Sequence, residues 1–402
     1  MTENVIFLDD LDGAPGQVAE SRTPKTVLRN ISASPFSLPD PRDIRQREWL
    51  YGRRLIRRFV SCTVAPGGVG KSSLLIAEAL AMVSGKPILG ASVPDPLRVW
   101  SINLEDPLDE LQRRFVATAA HYGIGNHEIG GRLFLDSGRT MPLVLATMDR
   151  NGPRLAQDVV DQVKETILDR KIDVVIVDPF ISSHRVPEND NNAVDFVTKA
   201  WARIADETGC AIELVHHVRK TGGAEATVEN ARGGSALIDA VRSARVLNTM
   251  SEDDAAKAGV DNRRLHFSAE DGKANLAPPS DKRAWFKLES VAVGNGYHDL
   301  DIGDLVGVVS PWKWPDPLDG MTVSDLDKVR AKVASGEWRE NVQSAQWVGK
   351  AVAEALGLDL GNAADKAKIK SALRIWLGTG ALIKVDRKDA NHESRTFVEV
   401  GE

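Results

Sequence analysis

Apolar and polar residues alternate along positions 45–300 in a way that predicts strands and helices in turn. Short, nearly continuous apolar runs, typical of buried strands, occur at FVSCTV, RVWSINLE, DVVIVD and CAIELVHHV. Between them, stretches such as SSLLIAEALAMVSG and AVDFVTKAWARIADETG carry apolar side chains at helical spacing. This alternation predicts an α/β fold, with a mostly parallel sheet covered by helices on both faces.

Weaker patterns extend this prediction. RLFLDSG predicts a strand and RLAQDVVDQVKETILDR a helix. Farther along, RSARVLNTM, RRLHFSAE and WFKLESVAV predict further strands, which we expect to form an antiparallel edge of the sheet.

The pattern changes at both ends of the chain. Residues 1–40 are rich in Ser, Pro, Asp and Gly and lack periodicity, which predicts a flexible tail. PWKWPDPLDG indicates a linker, and beyond it two helical patterns precede a hairpin pattern. Helix, helix, hairpin is the order of a winged helix. We therefore predict an α/β domain over 41–312 and a small winged-helix-like domain over 313–402.

Composition and charge restrict the classes of function. The chain has 402 residues and a formal net charge of -6, so any contact with nucleic acid must come from a local basic patch. No stretch is apolar over the length needed to cross a bilayer, and the acidic start does not resemble a signal peptide. Cys62 and Cys210 lie in apolar runs and are expected to be buried thiols. We expect a soluble, cytoplasmic protein without membrane contact.

APGGVGKSS, between a predicted strand and a predicted helix, has the pattern of a phosphate-binding loop. Glycines let the backbone curl so that several N–H groups face one anion, and the helix N-terminus adds its positive end. The lysine reaches the β and γ phosphates, and the serine hydroxyl that follows it ligates Mg²⁺. The predicted nucleotide-binding residues are Pro66, Gly67, Gly68, Val69, Gly70, Lys71, Ser72 and Ser73.

Carboxylates at two strand ends complete the predicted site for ATP and Mg²⁺. DVVIVD ends in Asp178, which is expected to orient the metal together with Ser72. Pro179 follows, so a catalytic glutamate directly after Asp178 is ruled out. Glu105, at the end of RVWSINLE, is the candidate that activates the attacking water, with Asp106 as the alternative.

Together, these residues resemble those of the RecA-like ATPases, in particular the RepA-like hexameric replicative helicases of plasmids and phages, a branch often labelled an AAA family. The resemblance spans roughly residues 48–300. It rests on the order of WLYGRRLIRRFVSCTVAPGGVGKSSL, NLED, VVIVDP, LVHHVRKTGG and ARGGSALIDAVRSARVL. It implies a RecA-like fold, an ATPase and a homo-oligomer, expected to be a hexamer.

The resemblance also assigns residues. His217, beside His216, matches the histidine that senses the γ-phosphate, and Arg242 in DAVR matches the arginine finger that reaches a neighbouring subunit's site. Arg245 is the alternative finger. GKAN, with Lys273 and Asn275, resembles a recurrent segment of these ATPases, and Lys273 is expected to approach the subunit interface.

Two regions are predicted to contact DNA. RKTGGAEATVENARGG matches the loop that faces the ring channel, with Arg219, Lys220 and Arg232 supplying positive charge for single-stranded DNA. In the C-terminal domain, Lys370 and Arg374 lie on one face of the predicted recognition helix, with Lys366 beside them. Lys384, Arg387, Lys388 and Arg395 cluster on the hairpin. A winged helix that docks a protein partner remains the alternative.

Several functions are compatible with these features. The leading hypothesis is a ring-forming ATPase motor on single-stranded DNA, a replicative helicase. The alternatives are a nucleotide-switched, DNA-binding regulatory ATPase, a recombination mediator that assembles as a filament, and a small-molecule kinase.

Overall fold

The computed structural model describes residues 33–218, 225–227, 235–278, 283–298, 301–315, 320–388 and 393–401. The chain divides into two units, residues 1–46 and residues 47–402. In the described part of the first unit, Asp40 caps a single turn of 3-10 helix, Pro41–Asp43, and pairs with the Arg42 guanidinium at 2.6 Å. The side chain of Phe36 in this unit is exposed.

The helices and strands of the second unit follow one another along the chain. They are β1 (Trp49–Tyr51), β2 (Leu55–Ile56), β3 (Val60–Ala65), α1 (Lys71–Ser84), β4 (Val99–Asn103), α2 (Leu108–His121), α3 (Asn126–Ile129), β5 (Leu133–Ser137), β6 (Ala146–Asp149), β7 (Gly152–Leu155), α4 (Gln157–Arg170), β8 (Val174–Asp178), β9 (His184–Arg185), α5 (Asn191–Thr208), β10 (Ala211–His217), α6 (Ser235–Ala240), β11 (Ser243–Thr249), α7 (Glu252–Ala258), β12 (His266–Ala274), β13 (Ala284–Ala292), β14 (Leu305–Trp312), α8 (Val323–Ala334), β15 (Trp338–Arg339), α9 (Val348–Leu356), α10 (Ala363–Gly378), β16 (Leu382–Lys388) and β17 (Ser394–Val400). Short 3-10 turns occur at Phe180–Ser183 and Arg263–Leu265.

One large sheet organises the fold. Its strand order is β14-β13-β12-β11-β3-β10-β8-β4-β5. The run from β11 to β5 is parallel throughout, whereas β12, β13 and β14 add an antiparallel edge. The predicted α/β fold with a mostly parallel sheet is therefore confirmed.

Helices cover both faces of the parallel strands. Because side chains alternate along a strand, Val175 and Val177 of β8 pack into one hydrophobic cluster with α4 and α5, while Val174 and Ile176 pack into another with α1. Both faces of the strand are buried, which explains its continuous apolar run.

Three elements differ from the sequence-based predictions. Arg154 and Leu155 belong to β7 rather than to the following helix, because β6 and β7 form a hairpin that pairs with β9 in a separate small sheet. RSARVLNTM forms β11, which is parallel to β3 and lies inside the sheet rather than at an antiparallel edge. The strand β14 was not predicted; its last residues, Pro311 and Trp312, had been assigned to the linker.

The C-terminal part has its own core. Val329 of α8, Val352 of α9 and Trp376 of α10 pack together against the sheet β15-β17-β16. The helix–helix–hairpin pattern is present as α9, α10, β16 and β17, preceded by α8 and β15, which the sequence analysis did not identify. The helix α10 also packs against α7. No helix in the described parts of the chain has the length and apolar character that crossing a membrane requires.

A network of buried ion pairs joins α1 to the sheet. Glu78 of α1 accepts hydrogen bonds from Arg245 of β11 at 2.6 and 2.8 Å and from Arg54 at 2.8 Å. Arg54 also pairs with Glu213 of β10 at 2.6 Å, and Thr63 of β3 donates to the same carboxylate at 2.5 Å. Two carboxylates thus face two guanidinium groups, which compensates the cost of burying each charge.

Replacing Arg245 by methionine should destabilise the protein, because it removes one cation from this buried network. Loss of one partner from a buried pair costs about 3–5 kcal/mol of unfolding free energy. Urea-induced unfolding followed by circular dichroism measures the change. The exposed Arg242 provides the matched control, and Arg242→Met should change stability by less than about 0.5 kcal/mol. Equal effects of the two substitutions would contradict the importance of the network.

Candidate functional site

The loop between β3 and α1 requires glycine at two positions. Gly68 and Gly70 have φ angles of 79° and 109°, in the left-handed region that side chains disfavour. At Gly70 a Cβ atom would also lie 3.1 Å from the Phe267 ring, whereas the space around Gly67 and Gly68 is open. The loop therefore curls from the end of β3 into the N-terminus of α1, as the phosphate-binding motif predicts, and leaves room above the glycines for an anion.

Lys71 begins α1 and is buried at this loop. Its Nζ donates to the Pro66 carbonyl at 3.2 Å and to His217 Nδ1 at 3.0 Å. Burial lowers the pKa of Lys71, and the nearby carboxylates of Asp178 and Glu105 act in the opposite direction. A phosphate in the loop would supply the anion that this partly desolvated ammonium lacks.

Ser72 and Asp178 meet beside Lys71. Ser72 Oγ donates to Asp178 Oδ2 at 2.7 Å. Burial raises the pKa of Asp178, while Ser72 and Lys71 favour its ionised form. A hydroxyl and a carboxylate in contact fit Mg²⁺, which binds through one or two protein oxygens and takes its other ligands from phosphates and water. The residues present therefore fit a Mg–nucleotide.

Glu105 and Asp106 lie in the turn after β4, at the carboxyl-terminal ends of the parallel strands, as the phosphate-binding loop does. Asn103 Oδ1 shapes this turn by accepting the backbone N–H groups of Glu105 at 3.0 Å and Asp106 at 2.7 Å. The carboxylate of Asp106 pairs with Arg114 at 2.8 Å. Glu105 is exposed and lies close enough to favour the charged forms of Lys71 and His217. Among the described residues, no arginine pairs with the Glu105 carboxylate, in contrast to that of Asp106.

His217 ends β10 opposite the end of β3, where it pairs with Ala65. Partial burial and the Lys71 cation lower the pKa of His217, so its ring is neutral at pH 7 and can accept the Lys71 hydrogen bond. The neighbouring His216 is buried, and its ring lies 6.3 Å from that of Phe180, centroid to centroid. The two histidines therefore face different environments.

Phe180 and His184 also belong to this region, and the sequence analysis missed both. They follow Asp178 in the chain, and their rings lie 4.8 Å apart in an edge-to-face contact. His184 is buried, and burial lowers its pKa to about 4. The signal in the sequence was the apolar and aromatic start of the segment after DVVIVDP, which is unusual for a surface loop.

Arg242 lies at the amino-terminal ends of the parallel strands, whereas these residues lie at or beyond the carboxyl-terminal ends. Its N–H donates to the carbonyl of Val60, at the start of β3, and its own carbonyl accepts the N–H of Asn275. The phosphate-binding loop follows Ala65 at the other end of β3, about 17 Å away along the strand. The Arg242 side chain is exposed and cannot extend to the loop of its own chain.

Arg245 and Lys273, the two other residues expected near a subunit interface, both bind groups of their own chain. Arg245, the alternative finger, is buried against Glu78 and is therefore unavailable to a second subunit. Lys273 Nζ donates to the carbonyls of Ile238 and Asp239, at the C-terminal end of α6, and so holds the helix that precedes Arg242.

The predicted channel-loop residues Arg219, Lys220 and Arg232 lie outside the described residues. Within the same segment, residues 225–227 are described. Ala226 is buried and exchanges hydrogen bonds of 2.8 Å with the side chain of Asn248, so this part of the segment is anchored on β11.

In the C-terminal part, Lys370 and Arg374 are exposed on α10, with Lys366 one turn earlier on the same face. Ile369 and Leu373 are buried on the other face. The cations of the hairpin are mostly paired with carboxylates. The ion pairs are Lys384–Glu340, Arg387–Glu337 and Arg395–Glu393.

Comparison with known proteins agrees with the phosphate-binding loop. Residues 28–223, slightly under half of the chain, match the family described as an AAA domain. The matched region includes Lys71, Glu105, Asp178 and His217. The crystal structure of the RadB recombinase aligns with 58% of this chain and 88% of that chain, at 13% sequence identity and a TM-score of 0.37. The family match supports a P-loop ATPase, and the sheet shows an α/β fold with mostly parallel strands.

Replacing Asp178 by asparagine should remove the effect of Mg²⁺ on nucleotide binding, because the amide provides a much weaker metal ligand. We expect Mg²⁺ to tighten the binding of a fluorescent ATP analogue to the wild type and to have at least tenfold less effect on Asp178→Asn. Titrations with Mg²⁺ and with a chelator measure the difference. Asp106→Asn is the control, and an undiminished metal effect in Asp178→Asn would contradict this site.

His184 should make stability depend on pH. Its folded pKa of about 4 lies below the unfolded value of 6.5, so the unfolded chain binds the proton first. The stabilisation is present above pH 6.5 and is lost as the pH falls towards 4, by about 2 kcal/mol at pH 5. Urea unfolding at pH 7 and pH 5 should show a smaller loss for His184→Gln. The exposed His127 is the control: if His127→Gln behaves as His184→Gln does, burial of His184 is not the cause.

Proposed function

We propose that this chain hydrolyses Mg-ATP and assembles into a ring that moves on single-stranded DNA, as a replicative helicase of the RepA-like type. The observation that carries the proposal is the 3.0 Å contact between Lys71 Nζ and His217 Nδ1. It joins the phosphate-binding loop to the strand end from which the basic segment containing Arg219 and Lys220 departs. A change in the charge near Lys71 therefore acts directly on the start of that segment.

In this proposal, each residue of the site has one task. Backbone N–H groups of the loop and Lys71 bind the β and γ phosphates, while Ser72 and Asp178 hold the metal. When bound, Mg-ATP supplies the phosphoryl group to be cleaved, with part of its charge neutralised by the metal. Glu105 orients the attacking water and accepts its proton. His217 exchanges its Lys71 contact for one with the γ-phosphate and so reports hydrolysis to the segment that follows β10.

Assembly would complete the site, because neither of the two candidate finger arginines reaches the phosphate-binding loop of its own chain. Arg245 is buried in the ion-pair network, and Arg242 is exposed at the far edge of the sheet. A neighbouring copy would present Arg242 across the subunit interface, and Lys273 holds the preceding helix in place. We propose a homo-oligomer, a hexamer in the helicase case, on this basis.

A second function is favoured by α10. Its exposed Lys366, Lys370 and Arg374 form a basic face on what we propose to be a winged-helix recognition helix. In a nucleotide-switched regulatory ATPase this face would bind duplex DNA, and hydrolysis would not respond to single strands.

The rate of ATP hydrolysis with and without single-stranded DNA tests the proposal. We expect single strands to stimulate the wild type, and both Lys71→Ala and Arg242→Ala to lose activity, the latter by roughly 10³-fold, the effect of removing an arginine finger. Mixing the two inactive variants should partly restore hydrolysis, because Lys71→Ala subunits supply Arg242 to intact sites.

Each outcome distinguishes one part of the proposal. Hydrolysis that ignores single strands, together with duplex binding lost in Lys370→Ala/Arg374→Ala, would support the regulatory ATPase instead. Full activity of Arg242→Ala, or no recovery on mixing at concentrations where the chain is oligomeric, would contradict a shared site.

A further inference from the structure

A row of polar side chains crosses the small sheet β7-β6-β9. Thr147 of β6 pairs with Arg154 of β7 on one side and with Arg185 of β9 on the other. All three side chains are exposed, whereas their neighbours Ala146 and His184 are buried on the opposite face. Because directly paired residues lie on the same face of a sheet, these side chains stand next to one another. We call Arg154, Thr147 and Arg185 the arginine row.

The chemistry of this row suits a chain of phosphates. Neighbouring strands lie about 4.8 Å apart, so the two arginines are anchored about 10 Å apart with a hydroxyl between them. Two guanidinium forks and a hydroxyl all donate hydrogen bonds, and guanidinium groups match phosphate oxygens in pairs. The row has no exposed aromatic side chain, so it favours backbone contacts over base stacking.

The arginines of the row are weakly engaged. Arg154 pairs with Asp149 at 3.2 Å, but its side chain is 71% exposed, and exposed pairs contribute little. Arg185 donates to the carbonyl of its own neighbour, His184, at 3.1 Å. Arg150, at the turn of the β6–β7 hairpin, adds a third exposed cation. Since the whole chain has a net charge of -6, this cluster is a local exception.

The row is also joined to the nucleotide site. The strand β9 begins six residues after Asp178, and the N–H of Leu145, just before β6, donates to the carbonyl of Ser183. His184, beside Arg185, packs on Phe180, which in turn contacts His216. The row therefore lies near the carboxyl-terminal ends of the parallel strands of the large sheet, where Lys71, Asp178 and His217 meet.

We propose that the arginine row binds the phosphate backbone of single-stranded DNA, independently of sequence. This rests on the proposed function, and it adds a contact surface outside the segment that follows β10. A separation of about 10 Å corresponds to about three stacked nucleotides of one strand. The two arginines thus contact phosphates of the same strand, with Thr147 donating to the backbone between them.

Binding of a fluorescein-labelled oligo-dT, followed by fluorescence anisotropy over a range of salt concentrations, tests this surface. Arg154→Ala/Arg185→Ala should weaken binding and reduce the slope of log K against log[salt] by about 1.4, since each phosphate contact on a single strand contributes about 0.7. The double variant should keep DNA-free ATP hydrolysis but lose most of the stimulation by DNA. Arg203→Ala, which removes an exposed arginine from α5, should behave as the wild type.

The outcomes separate this surface from the proposed function. A wild type that does not bind oligo-dT contradicts the proposed function, whereas equal binding by the wild type and the double variant contradicts only the arginine row. Arg154→Lys/Arg185→Lys keeps both charges and should retain the wild-type salt slope; a loss as large as that of the alanine pair would overturn the proposal. An equal loss of binding to polyglutamate, or a loss confined to duplex DNA, would assign the row to another partner.

Discussion

The register of the parallel strands determines which residues meet at the candidate site. In that register, β3 and β10 end together, with Ala65 beside His217, and β4 and β8 end together, with Asn103 beside Asp178. Because the strands are parallel, their carboxyl-terminal ends lie on one side of the sheet. Residues separated by more than a hundred positions therefore meet there. No single loop could hold them, because the loop after β3 supplies only the lysine and the serine. A slip of one residue would turn every side chain of the strand to the other face.

The second constraint is the position of α1 over the sheet. Lys71 and Ser72 belong to its first turn, so their placement depends on where the helix sits. Apolar packing against the sheet is not directional, whereas the hydrogen bonds of Glu78 with Arg245 and Arg54 are. Buried ion pairs add little net stability compared with apolar contacts of the same shape. Their contribution here is to fix the helix in one position.

The parts of this arrangement that the sequence predicts share a strong local signal. Glycine spacing placed the phosphate-binding loop, and a run of four apolar residues directly before Asp178 placed the carboxylate. The β6–β7 hairpin was missed because strands of four residues are too short for a periodic pattern, and Arg154 continued an apparent helix. The burial of Arg245 depends on Glu78, far away in sequence. A glutamate in the apolar helix LLIAEALAM was the signal, since a buried carboxylate requires a cation, but it does not identify which one.

In the proposed oligomer, the two ends of the parallel strands would divide the chemistry between subunits. The carboxyl-terminal ends of the strands carry the phosphate-binding loop and border the arginine row. The amino-terminal ends carry Arg242, whose N–H donates to the carbonyl of Val60 at the start of β3. One sheet connects both ends, so in the proposed oligomer a movement at the nucleotide end would be carried to Arg242, which is proposed to complete the next subunit's site. In a ring, each sheet would act on its neighbour in the same direction. The buried network beneath α1 joins residues of β10 and β11 to the helix whose first turn carries Lys71 and Ser72.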